Sequence, residues 1–514
     1  MSLPRHIYQA LESVVGPEYI SDAPHIMAGY RRSGPHAPLS PRPEAVLLPA
    51  TSEEVQAIVK ICNRYDLAYI ATVSGLSLQA YPDRPSTIVL HLKRMNRIVE
   101  INETDRYAVI EPGVRHGQLK PELMKRGLTY AVASVGPGGS VLANFTVTSG
   151  DHHNQNGLSR TNRYLLGVEW VTPTGDIVRT GSLGAGAGWF CPEGPGPSLR
   201  GLIKGYYGSF GGMGIITRIA IGLDASRGPE VMSADGRVPK NKFRLPRDRH
   251  RAFIFKFPDL DKVRDAMLEV GKAEIGHSVI KFFNATYALL NTESANDFWQ
   301  LWDSGLFQRE LSKPLYVYLT TWSEEEMEYE ERVLREIVAE NGGEPVDGRI
   351  QQILDDNMDF YIIVSFLQRT LRLGGGWAPN KLSADSITHM FEVGKAIPPM
   401  LEEFIDDGRL LNAPDNFQIS AMEYAHMAHI ELLFIWDFGA PDWPSIPADV
   451  MTKSAADDIA AGRHAAMPGR DPVAMRRDGP LYSGFDRWAF AIKDAFDPNA
   501  VSNPSPEDRV AERF

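Results

Sequence analysis

Three adjacent side chains, Asp151, His152 and His153, stand directly after a run of small residues, Gly138 to Gly150 (GGSVLANFTVTSG). A carboxylate beside two imidazoles is equipment for moving protons. Histidine titrates at about 6.5, and a desolvated aspartate moves up toward neutrality. Adjacent histidines in a loop lack the spacing of a metal pair, so no metal is expected. The plain alternative for Asp151 is a turn carboxylate that caps neighbouring N–H groups. A second stretch with chemical potential is Ser74-Gly75-Leu76-Ser77-Leu78, a small-residue turn after the apolar run Ala68 to Thr72. Small residues leave backbone N–H groups open, and such a turn can curl round a pyrophosphate. An ordinary surface turn between two strands is the competing reading.

The elements around these stretches must position them. Thr51-Ser52-Glu53-Glu54 is a capping box, and Val55, Ile58, Val59 and Cys62 then share one helical face. The unit continues as a strand, the Ser74 turn and a second strand, Ile88 to Leu92. Tyr107 to Glu111 is a strand ended by Pro112-Gly113, and His116 to Arg126 is a helix closed by Gly127. Leu166 to Val171 and Ile177 to Thr180 form a hairpin over Pro173-Thr174-Gly175-Asp176. Gly211-Gly212-Met213-Gly214 leads into an alternating strand, Ile215 to Leu223. Asp224 to Arg249 is polar and reads as a boundary. Strands and helices then alternate over Ala252 to Ala339, which predicts a second, antiparallel sheet covered by helices. Phe417 to Asp437 reads as continuous strand material. Period-2 alternation places Glu423, Ala425, Met427 and His429 on one face, and Met422, Tyr424 and His426 on the other.

In this order, the Ser74 turn, the Gly138–His153 stretch, the Gly167–Gly181 hairpin and the Pro197–Leu223 run resemble one known family. It is the FAD-binding domain of the vanillyl-alcohol oxidase / p-cresol methylhydroxylase (PCMH) flavoproteins. The resemblance covers Pro41 to Leu223, with an echo in DPNAVSNP from Asp497. It implies an α+β fold, a two-lobed PCMH-type FAD-binding domain plus an antiparallel-sheet cap that receives the substrate. The expected organisation is an N-terminal helix and loop over 1–40, the FAD domain over 41–224 and the cap over 225–450. Residues 451–514 are expected to return to the FAD domain.

The resemblance also implies roles. Ser74, Gly75, Leu76, Ser77 and Leu78 fall at the pyrophosphate. Gly139, Ser140, Ala143, Asn144, Ser149 and Gly150 fall along the flavin, and Gly214, Ile215 and Ile216 on the adenine side. Asp151 matches the place where aryl-alcohol members carry an aspartate near flavin N5, so it is the expected base, with His152 and His153 beside it. A cap strand facing the flavin could offer Tyr424 and His426, or Glu423 and His429. Tyr482, with Arg476 or Arg477, is a loose substitute for the tyrosine–arginine pair that binds phenolate in those members. Members linked through the pyrophosphate loop carry histidine after the loop glycine. Leu76 stands there, so the FAD is expected not to be attached at that loop, which leaves His426 or His429 in the cap as a minority route.

Composition sets the outer bounds. The chain has 514 residues, enough for two or three domains. A net charge of −12 gives nucleic-acid binding no electrostatic support. Cys62 and Cys191 form no framework, which fits a reducing, cytoplasmic setting. No apolar run approaches the roughly 20 residues of a membrane span. The expected function is an FAD-dependent oxidoreductase that moves a hydride from a small organic substrate, an alcohol carbon with a lean toward an aromatic one, to flavin N5. A D-2-hydroxyacid dehydrogenase and a flavin-binding protein without turnover are the alternatives. The expected partners are a small-molecule substrate and an electron acceptor, oxygen or a carrier protein, with a homodimer left open.

Overall fold

The computed structural model describes residues 3–31, 40–75, 82, 84–132, 137–146, 156–191, 193–194, 198–203, 212–230, 234–235, 242–243, 245–292, 294–356, 381–436, 442–443, 445–463 and 479–503. Its N-terminal half is built on two sheets. The first contains β1 (Ile20–Ser21), β2 (Ala45–Leu47), β3 (Ala68–Thr72) and β4 (Thr87–His91) in the order β1-β2-β4-β3. Strands β2, β4 and β3 run parallel, with Thr72 opposite His91. Parallel neighbours need a crossover, so the chain leaving β3 cannot turn straight back. The Ser74 turn therefore sits at the carboxyl end of β3, where open α/β sheets present ligand sites.

Helix α1 (Arg5–Val15) and helix α2 (Ser52–Tyr65) cover this sheet. The capping box that starts α2 forms. Thr51 Oγ1 accepts from Glu54 N at 3.1 Å, and Glu54 reaches back to Ala50 N at 2.8 Å, one residue before the cap. Val55, Ile58, Val59 and Cys62 are all fully buried against the strands, and burial pushes the Cys62 thiol pKa up.

The second sheet is antiparallel. It joins β5 (Ile98–Asn102), β6 (Tyr107–Ile110), β8 (Leu165–Val171), β9 (Ile177–Arg179) and β10 (Ile215–Gly222) in the order β5-β6-β10-β8-β9. Between its strands lie α3 (His116–Met124), β7 (Leu128–Thr129) and α4 (Val141–Phe145). Strand β7 pairs with β11 (Asp224–Ala225). Gly214, at φ +93°, makes the tightest entry. A Cβ there would lie 2.3 Å from Val171 O, so only glycine lets the chain pass into β10. Trp170 Nε1 donates to Met213 O at 2.6 Å and fixes the approach.

Residues 497–503 close back onto both sheets. Tyr69 N donates to Val501 O at 2.8 Å, and Asn503 N to Tyr69 O at 2.8 Å. Gly214 N donates to Ser502 Oγ at 2.9 Å.

The C-terminal half centres on seven antiparallel strands: β12 (His250–Lys256), β13 (Ser278–Lys281), β14 (Pro314–Thr320), β15 (Glu344–Pro345), β16 (Lys381–Ser386), β17 (Phe417–Met422) and β18 (Met427–Leu432). Their order is β15-β12-β14-β13-β17-β18-β16. One face packs on helices α5 (Leu260–Lys272), α6 (Glu324–Glu340) and α7 (Ile387–Lys395), through side chains such as Val279, Val317, Leu334, Phe391 and Ile419. The other face packs on short helices that bring in Tyr287, Phe298 and Phe307. Among the described residues the last helix, α8 (Phe485–Phe496), stacks Phe496 on Trp170 of the second sheet at 5.5 Å.

The expectation of one strand from Phe417 to Asp437 is corrected. The segment is a hairpin with Met422 opposite Met427. Glu423, Tyr424 and Ala425 form its turn, each with positive φ (52°, 53° and 62°). The turn resets the alternation, because cross-strand partners share a face. Met422 therefore joins Met427 and His429, while Tyr424 and His426 belong to the turn. Bonds from the other half hold this left-handed run: Glu423 N donates to Leu158 O at 3.0 Å and Tyr424 N to Asn156 O at 2.9 Å.

Candidate functional site

The two glycine turns singled out in the sequence are held by one loop. Residues 112–117, which follow β6 and enter the first turn of α3, zip along residues 137–141. Ser140 Oγ donates to Pro112 O at 2.7 Å and Val141 N to Val114 O at 3.1 Å. His116 N donates to Gly139 O at 3.1 Å and Gly117 N to Pro137 O at 2.9 Å. From this loop Arg115 reaches both turns: Nη1 donates to Gly138 O at 2.6 Å, and Nη2 to Val73 O at 3.2 Å. Val73 O also receives His91 Nε2 at 3.0 Å. A carbonyl only accepts, so His91 carries its proton on Nε2, and Nδ1 accepts from Tyr30 OH at 2.8 Å. Burial lowers the pKa of His91, and its neutral form suits both bonds.

Helix α4 starts on Ser140, whose Oγ accepts from Ala143 N at 3.2 Å. Asn144, in the same helix, is braced from behind by His116. The imidazole is fully buried, with Nε2 2.8 Å from Asn144 Oδ1 and Nδ1 2.7 Å from Tyr130 OH. Desolvation lowers its pKa to about 4, so it is neutral at physiological pH. The amide oxygen again fixes the tautomer: Nε2 donates, and the Tyr130 hydroxyl donates to Nδ1. Thr161 Oγ1 donates to Asn144 O at 2.5 Å.

Of the residues expected to hold a cofactor, Ser74, Gly75, Gly139, Ser140, Ala143, Asn144, Gly214, Ile215 and Ile216 are described. Leu76, Ser77, Leu78, Ser149 and Gly150 lie outside the described residues, as do Asp151, His152, His153, Arg476 and Arg477. Tyr424 is 41% exposed, with its ring packed over Gly157. His426 is exposed in the same turn, whereas His429 is buried in β18 and its pKa is pushed down to about 3. Tyr482 lies in the turn Gly479–Tyr482 ahead of α8. Sequence reading missed Arg115, His91, His116 and Lys120. No local pattern marks them, because each acts on a partner brought near by the fold.

A cavity of about 330 Å³ opens where the two halves meet. Tyr130 and Lys120 line it from one half, His250 and Tyr318 from the other, with Tyr424 at the seam; Tyr482 does not line it. Lys120 is buried and donates to Thr129 Oγ1 at 2.5 Å, and burial lowers its pKa to about 8. His250 Nδ1 is 2.6 Å from Tyr318 OH, and burial lowers its pKa to about 4. Among the described residues, no group of three His, Cys, Asp or Glu side chains has the arrangement of a metal site. Nor is any described helix long and apolar enough to cross a membrane.

Comparison with known proteins places the first of these features. Residues 43–181 match the family model of an FAD binding domain. The whole chain superposes on 4-ethylphenol oxidase from Gulosibacter chungangensis in complex with isoeugenol. The TM-score is 0.76 at 20% identity, with 97% of this chain and 96% of that chain covered. It superposes equally well on p-cresol methylhydroxylase with substrate bound, at TM-score 0.76 and 18% identity, with 98% and 96% covered. At such identities the likeness is one of fold, and the fold is the PCMH type, an FAD-binding region plus an antiparallel-sheet region.

By sequence the chain is 32% identical over 193 residues to the mitochondrial D-lactate dehydrogenase [cytochrome] of Kluyveromyces lactis. That match covers 36% of this chain and 31% of the relative. The chain spans less than half the length of the curated relatives it matches. The described residues fit FAD. A Cβ at Gly75 or Gly138 would meet nothing within 4 Å, so the backbone of both turns borders open space.

Proposed function

We propose that the chain is an FAD-dependent oxidoreductase acting on a hydroxyl-bearing carbon of a small organic substrate. The observation that carries this reading is the pairing of two glycine turns, bordered by open space, within residues that match an FAD binding domain. Ser74 and Gly75, with Leu76 to Leu78, would hold the pyrophosphate. Gly139 to Asn144, with Ser149 and Gly150, would run along the flavin, and Gly214 to Ile216 would take the adenine side. Bound FAD supplies a two-electron acceptor for hydride. Asp151 would take the hydroxyl proton as hydride leaves the carbon, which leaves a carbonyl; His152 or His153 would orient that carboxylate or act in its place. The cavity at the seam would receive the substrate, its aromatic walls, Tyr130, Tyr318 and Tyr424, flanking a small ring. The reading carries the organisation stated above: an FAD domain over 41–224, a cap over 225–450, and a closing segment over 451–514.

The test is anaerobic bleaching of the yellow protein against a panel of alcohols, phenols and 2-hydroxyacids. Reduction by an alcohol or phenol supports the reading. Similarity to a D-lactate dehydrogenase favours a second outcome, reduction by a D-2-hydroxyacid. Lys120, a buried ammonium on the cavity wall, would then pair with the substrate carboxylate. Bleaching by none of the panel would favour a flavin-binding protein without turnover. Acid denaturation should release free FAD by mass. FMN in its place, or colour retained on the peptide 71–81, would contradict the cofactor reading and the expectation of no linkage at the loop, respectively.

A further inference from the structure

We infer that Arg115 is a positioning residue for the pyrophosphate of FAD, acting through the two glycine turns that it ties together. The inference rests on the FAD reading and deepens it. In a planar trans peptide the C=O and the following N–H point in opposite directions. Arg115 draws two carbonyls to itself, Val73 O and Gly138 O. The N–H groups of the same peptides, those of Ser74 and Gly139, therefore point away from the guanidinium. Among the described residues neither N–H meets an acceptor, although Gly139 O accepts from His116 N at 3.1 Å. Two amide donors without a described acceptor, one from each turn, are what an anion needs, and two carbonyl dipoles that would repel it are turned to the rear.

The charge of Arg115 adds to this. Among the described residues no carboxylate pairs with it, although it is half-buried and its pKa is lowered by desolvation alone. An arginine in such a place ordinarily finds an acid. Among the described residues nothing compensates its positive charge behind the turns, where an anion on their far side would feel it. His91 pins Val73 O from a second direction and, being neutral, contributes geometry without charge. Arg115 thus supplies both orientation and field, and neither can be read from the glycines themselves.

The test titrates apoprotein with FAD, followed by flavin fluorescence, for the parent, Arg115→Met and Arg115→Lys. Melting of each apoprotein is measured in parallel. Arg115→Met should weaken FAD binding by at least about tenfold, in keeping with the loss of charge-assisted bonds. Arg115→Lys should recover part of that loss, since it keeps the charge but cannot fork to two carbonyls. Added salt should weaken the parent and Arg115→Lys more than Arg115→Met. The apoproteins should melt together. An FAD Kd within about twofold of the parent in Arg115→Met would overturn the inference. So would an early-melting apoprotein with no salt difference, because the role would then be one of folding. A parent that takes up no FAD would instead bring down the cofactor reading, and with it this inference.

Discussion

Around the two glycine turns, the backbone at Gly75 and Gly138 borders open space. The side chains there, Arg115, His91 and His116, work from behind by holding carbonyls or an amide in place. In the seven-stranded sheet the buried polar groups are side chains themselves. Lys281 is fully buried in β13, with Nζ donating to Asp415 O at 2.8 Å and Phe417 O at 2.7 Å, and lies over the Phe417 ring. His250 and His429 are buried in two other strands of the same sheet. The first arrangement suits a ligand with a fixed, charged backbone-like group such as a pyrophosphate. The second suits shape and polarity that change with a substrate, because side chains can be exchanged without redrawing the chain.

That contrast predicts where mutations bite. The largest effect should come from the backbone of the first region. Gly214→Ala must place a Cβ 2.3 Å from Val171 O at φ +93°. It should cost roughly 3 kcal/mol in denaturant unfolding and take FAD binding with it. A variant of parent stability would show that the chain can shift there.

Next come the two pH windows. His116 has its pKa lowered from 6.5 to about 4, so the unfolded chain binds more protons between those values. The stability it contributes is complete above 6.5 and drains away as pH falls, by up to about 3 kcal/mol. Lys281 has its pKa lowered from 10.5 to about 7, so its linkage acts on the alkaline side, with stability rising as pH climbs from 7 toward 10.5. Unfolding titrations should show His116→Gln flattening the acid slope and Lys281→Met the alkaline slope. A variant that flattens the other window would undo the assignment.

Asp151→Ala should still bind FAD and melt with the parent, yet reduce its flavin at least about a hundredfold more slowly with substrate. His152→Ala and His153→Ala form the comparison set. Parent rates in all three would remove this loop from the chemistry.

The smallest effect should come from the seam. Tyr424 is 41% exposed and its hydroxyl packs over Gly157. Tyr424→Phe should change the rate of flavin reduction by less than about tenfold, which a larger loss would contradict by making the hydroxyl a direct participant.

The sequence by itself determined the features that local chemistry dictates. Thr51 with Glu54 and Ser323 with Glu326 form the caps that their spacing requires, with Glu326 N donating to Ser323 Oγ at 3.2 Å. The glycines at 75 and 214 mark turns because both take a positive φ, 69° and 93°, and at 214 a Cβ would also strike Val171 O. Apolar periodicity placed β10, α5 and α6, and the ordered glycine stretches pointed to FAD. The tertiary structure alone decided the rest. The hairpin turn Glu423-Tyr424-Ala425 has no glycine, proline or asparagine, and its left-handed backbone exists because Asn156 and Leu158 in the other half accept its N–H groups. Arg115 gives no signal in its own neighbourhood, since the carbonyls it holds are 42 and 23 residues away in the chain. His116 and Lys120 look like polar positions on a helix, yet burial makes one neutral and lowers the pKa of the other to about 8. Desolvation and long-range bonds depend on what surrounds a residue once the chain is folded, and short-range pattern carries no record of it.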